Sequence, residues 1–362
     1  MFTKKHYINL ISIIILLQVN LLFIKDTFFQ NLGGEIIGDL IFTAFFLTVL
    51  YYTNKFILAS EEEKSRGVYY FVILIYTIFL ILISRLFFSS DGNFTVNNWI
   101  IKFTAGVFPY GSLYAEVYMP FTYYLYMPFY LLGDLRLIII FGTALILLAV
   151  VNHSFYKKEL ILRMSLVFFL PAIHYAFIFS SAELTVSVIL ISLFFLLDEF
   201  IDEEKTGLKF FTLAVLSGLM LCTSLLMIIP LIMSTLFFFR KDFKKIFLFT
   251  FLSLIVCTLL LYPFMKWNSE MFWVYGPFTN SFMQLPLWIY IVLFLVIIYT
   301  GWMISDLQEL FFSSGVILFA VTFLMYLFNH SHFAELIYCI PFILLSLKEY
   351  EVDKFLGKVI DQ

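Results

Sequence analysis

Charge is what this sequence has least of. Only 13% of its 362 residues are Asp, Glu, Lys or Arg, against about 25% in an average soluble domain. So few charges cannot cover a soluble globule of this length. Cysteine is equally scarce. Cys222, Cys257 and Cys339 stand far apart inside apolar runs, a pattern that supports neither a disulfide framework nor a metal cluster and reads as small core residues. The net charge is −3, and no basic stripe points to nucleic acid. P-loop, GxGxxG, HExxH and CxxC patterns are all missing, so nucleotide-driven chemistry has no sequence support. No Pro- or Ser-rich linker, low-complexity tract or internal repeat divides the chain, which reads as one unit over 1–362.

Apolar runs fill the space that charge leaves. The hydrophobic share is 62%, with 48 Phe; Leu213 to Phe239 carries no charge at all. A bilayer core calls for about 20 apolar residues per helix, and only helices or closed barrels satisfy their backbone in lipid. The runs are continuous, without the period-two alternation of a barrel. The fold class expected is therefore all-α and integral to a membrane. The N-terminus has Lys4 and Lys5 before the apolar stretch Tyr7 to Ile24, like a signal peptide, but no small-x-small site follows; it reads as a retained first helix.

Twelve spans are expected, at about 7–24, 36–57, 68–88, 135–155, 164–180, 183–199, 208–222, 224–239, 246–264, 284–304, 309–328 and 333–347. The charge-free stretch from Phe210 to Phe239 would be about 45 Å of helix at 1.5 Å per residue, too long for one crossing, so it is broken near Thr223 and Ser224. Met119 to Leu132 is too short to cross and holds Pro120 and Pro128; it reads as a helix on or dipping into the outer face. This arrangement leaves Lys25, Arg85, Lys102, Arg136 and Lys266 outside and the other 17 of the 22 Lys and Arg inside, as the positive-inside rule asks. Both termini then face the cytoplasm. The Phe, Ile and Lys usage fits an AT-rich microbial genome, so the expected setting is a microbial plasma membrane.

Under this topology polar chemistry gathers outside, in 89–134, in 265–283 and in the turn Asn329-His330-Ser331-His332. Asp91, just past the third span, reads as a general base at the membrane boundary or as an Asp-Gly turn. Arg85, inside that span, is shaped to hold a lipid phosphate or snorkels to the headgroups. His330 and His332 suit phosphate contact or proton transfer, or a polar helix end. Glu183 stands where it could cap the sixth span. His174 reads as a hydrogen-bonded core residue. Lys266 with Trp267, Trp273 and Tyr275 makes an aromatic outer loop, either an interfacial belt or a sugar-stacking surface.

Taken in order, these features resemble the GT-C superfamily of multispan glycosyltransferases. The resemblance rests on Asp91 in the first large outer loop, on Gly106-Val107-Phe108-Pro109-Tyr110 and Glu116 after it, and on the Pro-containing helix from Met119 to Gly133. Arg136, the run from Leu213 through Pro230 to Arg240-Lys241, and the late Asn329-to-Phe333 turn before Pro341 complete it. It covers about 68–347, with 1–57 as two extra spans. It implies a polyprenyl-phosphate-linked hexose as donor, mannose among the candidates, and a hydroxyl acceptor on a glycan, lipid or protein. It also implies an inverting displacement with Asp91 as base. Tyr110, Glu116, Arg136, Glu183, Lys266, His330 and His332, with Arg85, would line the substrate site. The chain departs from the pattern at Ser224, where relatives often carry Lys after Thr, and it has no DxD-type acidic pair, so no metal or other cofactor is expected. Two other classes fit the layout: a transporter or flippase of lipid-linked sugars, and a non-catalytic envelope assembly protein.

Overall fold

A computed structural model describes residues 4–28, 43–44, 47–48, 66–87, 94–110, 118–154, 157–179, 181–202, 207–279, 285–328 and 333–347. Among them every regular element is a helix and none is a strand. In chain order the α-helices are α1 (Lys4–Phe28), α2 (Arg66–Phe87), α3 (Phe94–Thr104), α4 (Pro120–Leu131), α5 (Leu137–His153), α6 (Lys157–Phe169), α7 (Pro171–Phe179), α8 (Glu183–Asp202), α9 (Leu208–Leu221), α10 (Ile228–Phe239), α11 (Phe243–Trp267), α12 (Ser269–Tyr275), α13 (Leu287–Met303), α14 (Leu307–Phe328) and α15 (Cys339–Ser346). The expected span at 36–57 lies outside the described residues, apart from four helical positions.

Among the described residues three helices are long and apolar enough to cross a membrane, over Gly67–Ser84, Phe243–Trp267 and Leu307–Phe328, and the bent pair α6–α7 makes a fourth if it is taken as one span. Their outward faces are apolar. On α2, Phe71, Leu74, Ile78 and Leu82 are exposed, and on α11 so are Phe247, Phe251, Leu254 and Leu259. Soluble monomers rarely expose continuous apolar faces of this extent. Polar groups point inward instead and tie the helices together. The Ser12 and Ser346 hydroxyls meet at 2.9 Å between α1 and α15, the Thr185 hydroxyl donates to Ile138 O at 2.7 Å, and Ser187 donates to Tyr338 O at 2.9 Å.

Two expected spans differ in shape. The stretch expected as one helix over 164–180 is two helices bent by 45°. Pro171 has no N–H to continue the ladder. The freed groups are taken up: Ala172 N–H donates to Asn20 Oδ1 at 2.9 Å, and His174 Nε2 meets Phe168 O at 2.9 Å. His174 is thus hydrogen-bonded as expected, but it is exposed rather than in the core.

The break at Thr223 and Ser224 is present, and the helices either side form a hairpin. Phe210 near its start and Phe239 at its end meet edge-on at 5.7 Å, both against Phe249. With 14 and 12 residues, the arms are about 21 and 18 Å long at 1.5 Å per residue. Each arm is shorter than a hydrocarbon core of about 30 Å.

Some helices approach closely at a glycine. A Cβ on Gly142 would run into the Thr185 side chain and lie 2.9 Å from Thr185 Cα. Overpacking of this kind costs about 1–3 kcal/mol. Gly142→Val is therefore expected to lower the unfolding temperature in detergent and to weaken the α5–α8 contact, while Val at open Gly67, which meets nothing within 4 Å, leaves that temperature near wild type.

Candidate functional site

The hairpin tip is covered by α4. Pro120 occupies the first position of that helix, where its missing N–H costs nothing. The next N–H, of Phe121, donates to Cys222 O at 2.9 Å, and the Thr122 hydroxyl donates to Thr223 O at 2.7 Å. A helix start thus meets a helix end, and each satisfies groups that its own ladder leaves open.

Beyond this floor the end of the bundle is built of rings. Trp99 of α3 stacks on Tyr123 of α4 at 4.0 Å and on Phe103 at 5.1 Å. Phe264 of α11 packs against Trp99, Phe103 and Tyr110 at about 6 Å. Trp267 closes the top against Phe108 and Phe103. Ten residues of α11 separate Cys257, level with the tip, from Trp267, so the ring layer is about 15 Å thick. Trp99, Tyr110 and Tyr123 are buried. Those three rings are core and offer no open sugar platform; Trp267, Trp273 and Tyr275, each 40–52% exposed, are the rings that face outward.

Two buried polar groupings flank the rings. In the first, the Glu183 carboxylate opens α8 and accepts hydrogen bonds from Tyr118 Oη at 2.8 Å and from the Ser181 hydroxyl. Tyr110 Oη reaches Tyr118 O at 3.4 Å, so Tyr110 and Glu183 are joined through Tyr118. Burial pushes the Tyr110 phenol well above its ordinary pKa, and it stays protonated as a donor.

In the second, Arg136 Nε and its backbone N–H both donate to Asp134 Oδ1, at 2.8 and 3.0 Å, and the Ser84 hydroxyl binds Asp134 Oδ2. Arg85 follows Ser84 in α2, so the backbone of one predicted cation and the side chain of the other lie at the same place, although the Arg85 side chain is outside what the structure describes. Burial pushes the Asp134 carboxyl up, but the hydrogen bonds from Arg136 and Ser84 together hold it below the usual value. A carboxyl with a lowered folded-state pKa contributes stability that is complete above its unfolded value of about 3.9 and is lost as pH falls through the folded value. Acidification below about pH 4 should therefore lower the unfolding temperature of wild type more steeply than that of Asp134→Asn, which starts lower at neutral pH.

Lys266 is exposed beside Trp267. Asp91, Glu116, His330 and His332 lie outside the described residues. Among the described residues no group of three His, Cys, Asp or Glu comes together to hold a metal. Sequence reasoning did not single out Tyr118, Thr122 or Asp134, and of these only the Asp134-x-Arg136 spacing carried a local signal. It also read Cys222 and Cys257 as unrelated, whereas their sulfurs are 2.9 Å apart. No family model, curated protein or solved structure matches the chain.

Proposed function

We propose that this protein is a multispan membrane glycosyltransferase of GT-C type, in which ten of the twelve expected spans cross and the α9–α10 hairpin enters part-way, with both termini cytoplasmic, in the plasma membrane of a microbe. The observation that carries the reading is the half-height hairpin roofed by α4. It leaves the half of the protein beyond the tip to short helices, rings and buried polar pairs, and in sequence Asp91 stands between α2 and α3. A lipid-linked substrate reaches such a level from the bilayer, and an acceptor reaches it from outside. The topology is supported by helix direction: Tyr70 Oη to Asn152 Oδ1 at 2.6 Å joins the inner ends of α2 and α5, and Ser84 to Asp134 joins their outer ends.

In the proposed reaction the donor is a polyprenyl-phosphate hexose, mannose among the candidates. An acceptor hydroxyl oxygen bonds to the anomeric carbon as the bond from that carbon to the phosphate oxygen breaks on the opposite face. Asp91 accepts the hydroxyl proton, the polyprenyl phosphate leaves with the electron pair, and the anomeric centre inverts. Arg85, Arg136, His330 or His332 would stabilise charge gathering on the phosphate, with Tyr110, Glu116, Glu183 and Lys266 around the sugar.

One observation favours transport instead. Discontinuous helices mark the binding sites of many transporters, and α6–α7 is discontinuous. Here, however, Asn20 and His174 already take Ala172 N–H and Phe168 O, groups that a transporter would turn toward its cargo. The deciding experiment is sugar transfer in liposomes from a panel of polyprenyl-phosphate sugars, with membrane extract as acceptor. Transfer supports the enzyme; its absence from every donor, together with movement of lipid-linked sugar across the bilayer, supports the transporter.

A further inference from the structure

We propose that Cys222 and Cys257 are a dithiol that oxidises to a disulfide, stapling the tip of the α9–α10 hairpin to the middle of α11. Their sulfurs lie 2.9 Å apart, and Cys222 Sγ also approaches Cys257 O at 3.3 Å. A disulfide needs about 2.05 Å between sulfurs, so less than an ångström of closure is required.

Backbone contact fixes this approach. The helices α9 and α11 run parallel. Phe210 packs edge-on against Phe249 at 5.6 Å, and Ser253 Oγ donates to Ala214 O at 3.0 Å. A Cβ on Gly218 would fall 2.5 Å from Ser253 O and 2.7 Å from Val256 Cβ. These contacts set the register turn by turn, and the next positions along the two helices are Cys222 and Cys257. Neither chain can slide to separate the sulfurs without breaking the Gly218 contact. Cys222 is buried, while Cys257 is partly exposed on the apolar face of α11, so an oxidant must come through the membrane phase.

In the reaction each sulfur gives up its hydrogen, two S–H bonds break and one S–S bond forms. The two protons and two electrons pass to a membrane-permeant two-hydrogen acceptor of the quinone or diazene class, which is reduced to the hydroquinone or hydrazine. The bond would close a loop spanning 35 positions that contains α10 and its turn into α11. It would also fix the carbonyls of Cys222 and Thr223 on which α4 is seated. Oxidation would thereby set how firmly the floor of the outer ring layer is held. This holds whether or not the protein transfers sugar.

The test uses purified full-length protein treated with the diazene diamide, then denatured without reductant and labelled with maleimide-polyethylene glycol. The chain has three cysteines. Reduced protein should show three adducts and oxidised protein one, on Cys339, with peptide mapping recovering a Cys222–Cys257 cross-link two hydrogens lighter than its parts. Cys222→Ser and Cys257→Ser should each keep two adducts after diamide. Oxidised wild type should unfold at higher temperature than reduced wild type, a rise that Cys257→Ser lacks. Three adducts after diamide, a cross-link through Cys339, or identical unfolding of the oxidised and reduced forms would overturn the proposal. The peptide map is made on wild type, so it decides the matter even where a variant does not fold.

Discussion

Reconstituted in liposomes, Asp91→Asn is expected to transfer sugar at least about a hundredfold more slowly than wild type, the lower end of what a positioned general base contributes. An amide keeps the size of the carboxylate and loses its ability to take a proton. The substitution therefore separates chemistry from folding, and an unchanged unfolding temperature is part of the expected result. Donor affinity should change little, because Asp91 is assigned to the acceptor proton and not to the phosphate. Arg85→Ala is the complementary variant, expected to weaken stabilisation of the leaving phosphate and to leave the pH profile in place. Full transfer by folded Asp91→Asn would keep the glycosyltransferase reading but remove Asp91 as its base; Glu183 would then be examined next, since it is a buried carboxylate already joined to Tyr110 through Tyr118.

The parts of this fold that could be read from sequence are those set by length and local pattern. The hairpin break followed from a run too long for one crossing, and the start of α4 from Pro120. The height of the hairpin was not readable. Either arm is apolar enough to be taken for a span, and the short arms and the ring layer beyond the tip show that α3 and α4 fill the space there. Pro171 lay in plain sight, yet its effect depends on Asn20, 152 positions away in sequence from Ala172. At the candidate site, sequence supplied residue types and sidedness. It could not supply pairing: Glu183 with Tyr118 joins positions 65 apart. It also counted Arg163 as an inner-face cation, when that side chain is in fact 2% exposed.

The second large effect is expected there. Arg163 Nε donates to Leu347 O at 2.8 Å, Nη2 to Leu345 O at 2.8 Å, and Nη1 to Ser154 Oγ at 3.1 Å. Glu159 Oε1, one turn earlier on α6, lies 2.6 Å from Nη2 and is equally buried. The two carbonyls belong to the end of α15, where helical carbonyls lack ladder partners and the dipole favours a cation. One guanidinium thus holds α6, α15 and the residue ending α5 together. Arg163→Met fills much of the volume but takes the guanidinium away from the buried Glu159 carboxylate, so the loss should be about 3–5 kcal/mol. It should appear as a large fall in the detergent unfolding temperature. The double variant Glu159→Met, Arg163→Met removes both charges and should recover part of that loss, as replacing a buried pair with apolar side chains often does. Recovery should be incomplete, because the Leu345 and Leu347 carbonyls then lose their donor at a cost of about 1–3 kcal/mol for each group left buried and unpaired. A double variant no better than Arg163→Met would mean that the carbonyl contacts, and not the loss of the cation beside Glu159, account for the effect; a near-neutral Arg163→Met would mean that this end of the bundle is held elsewhere.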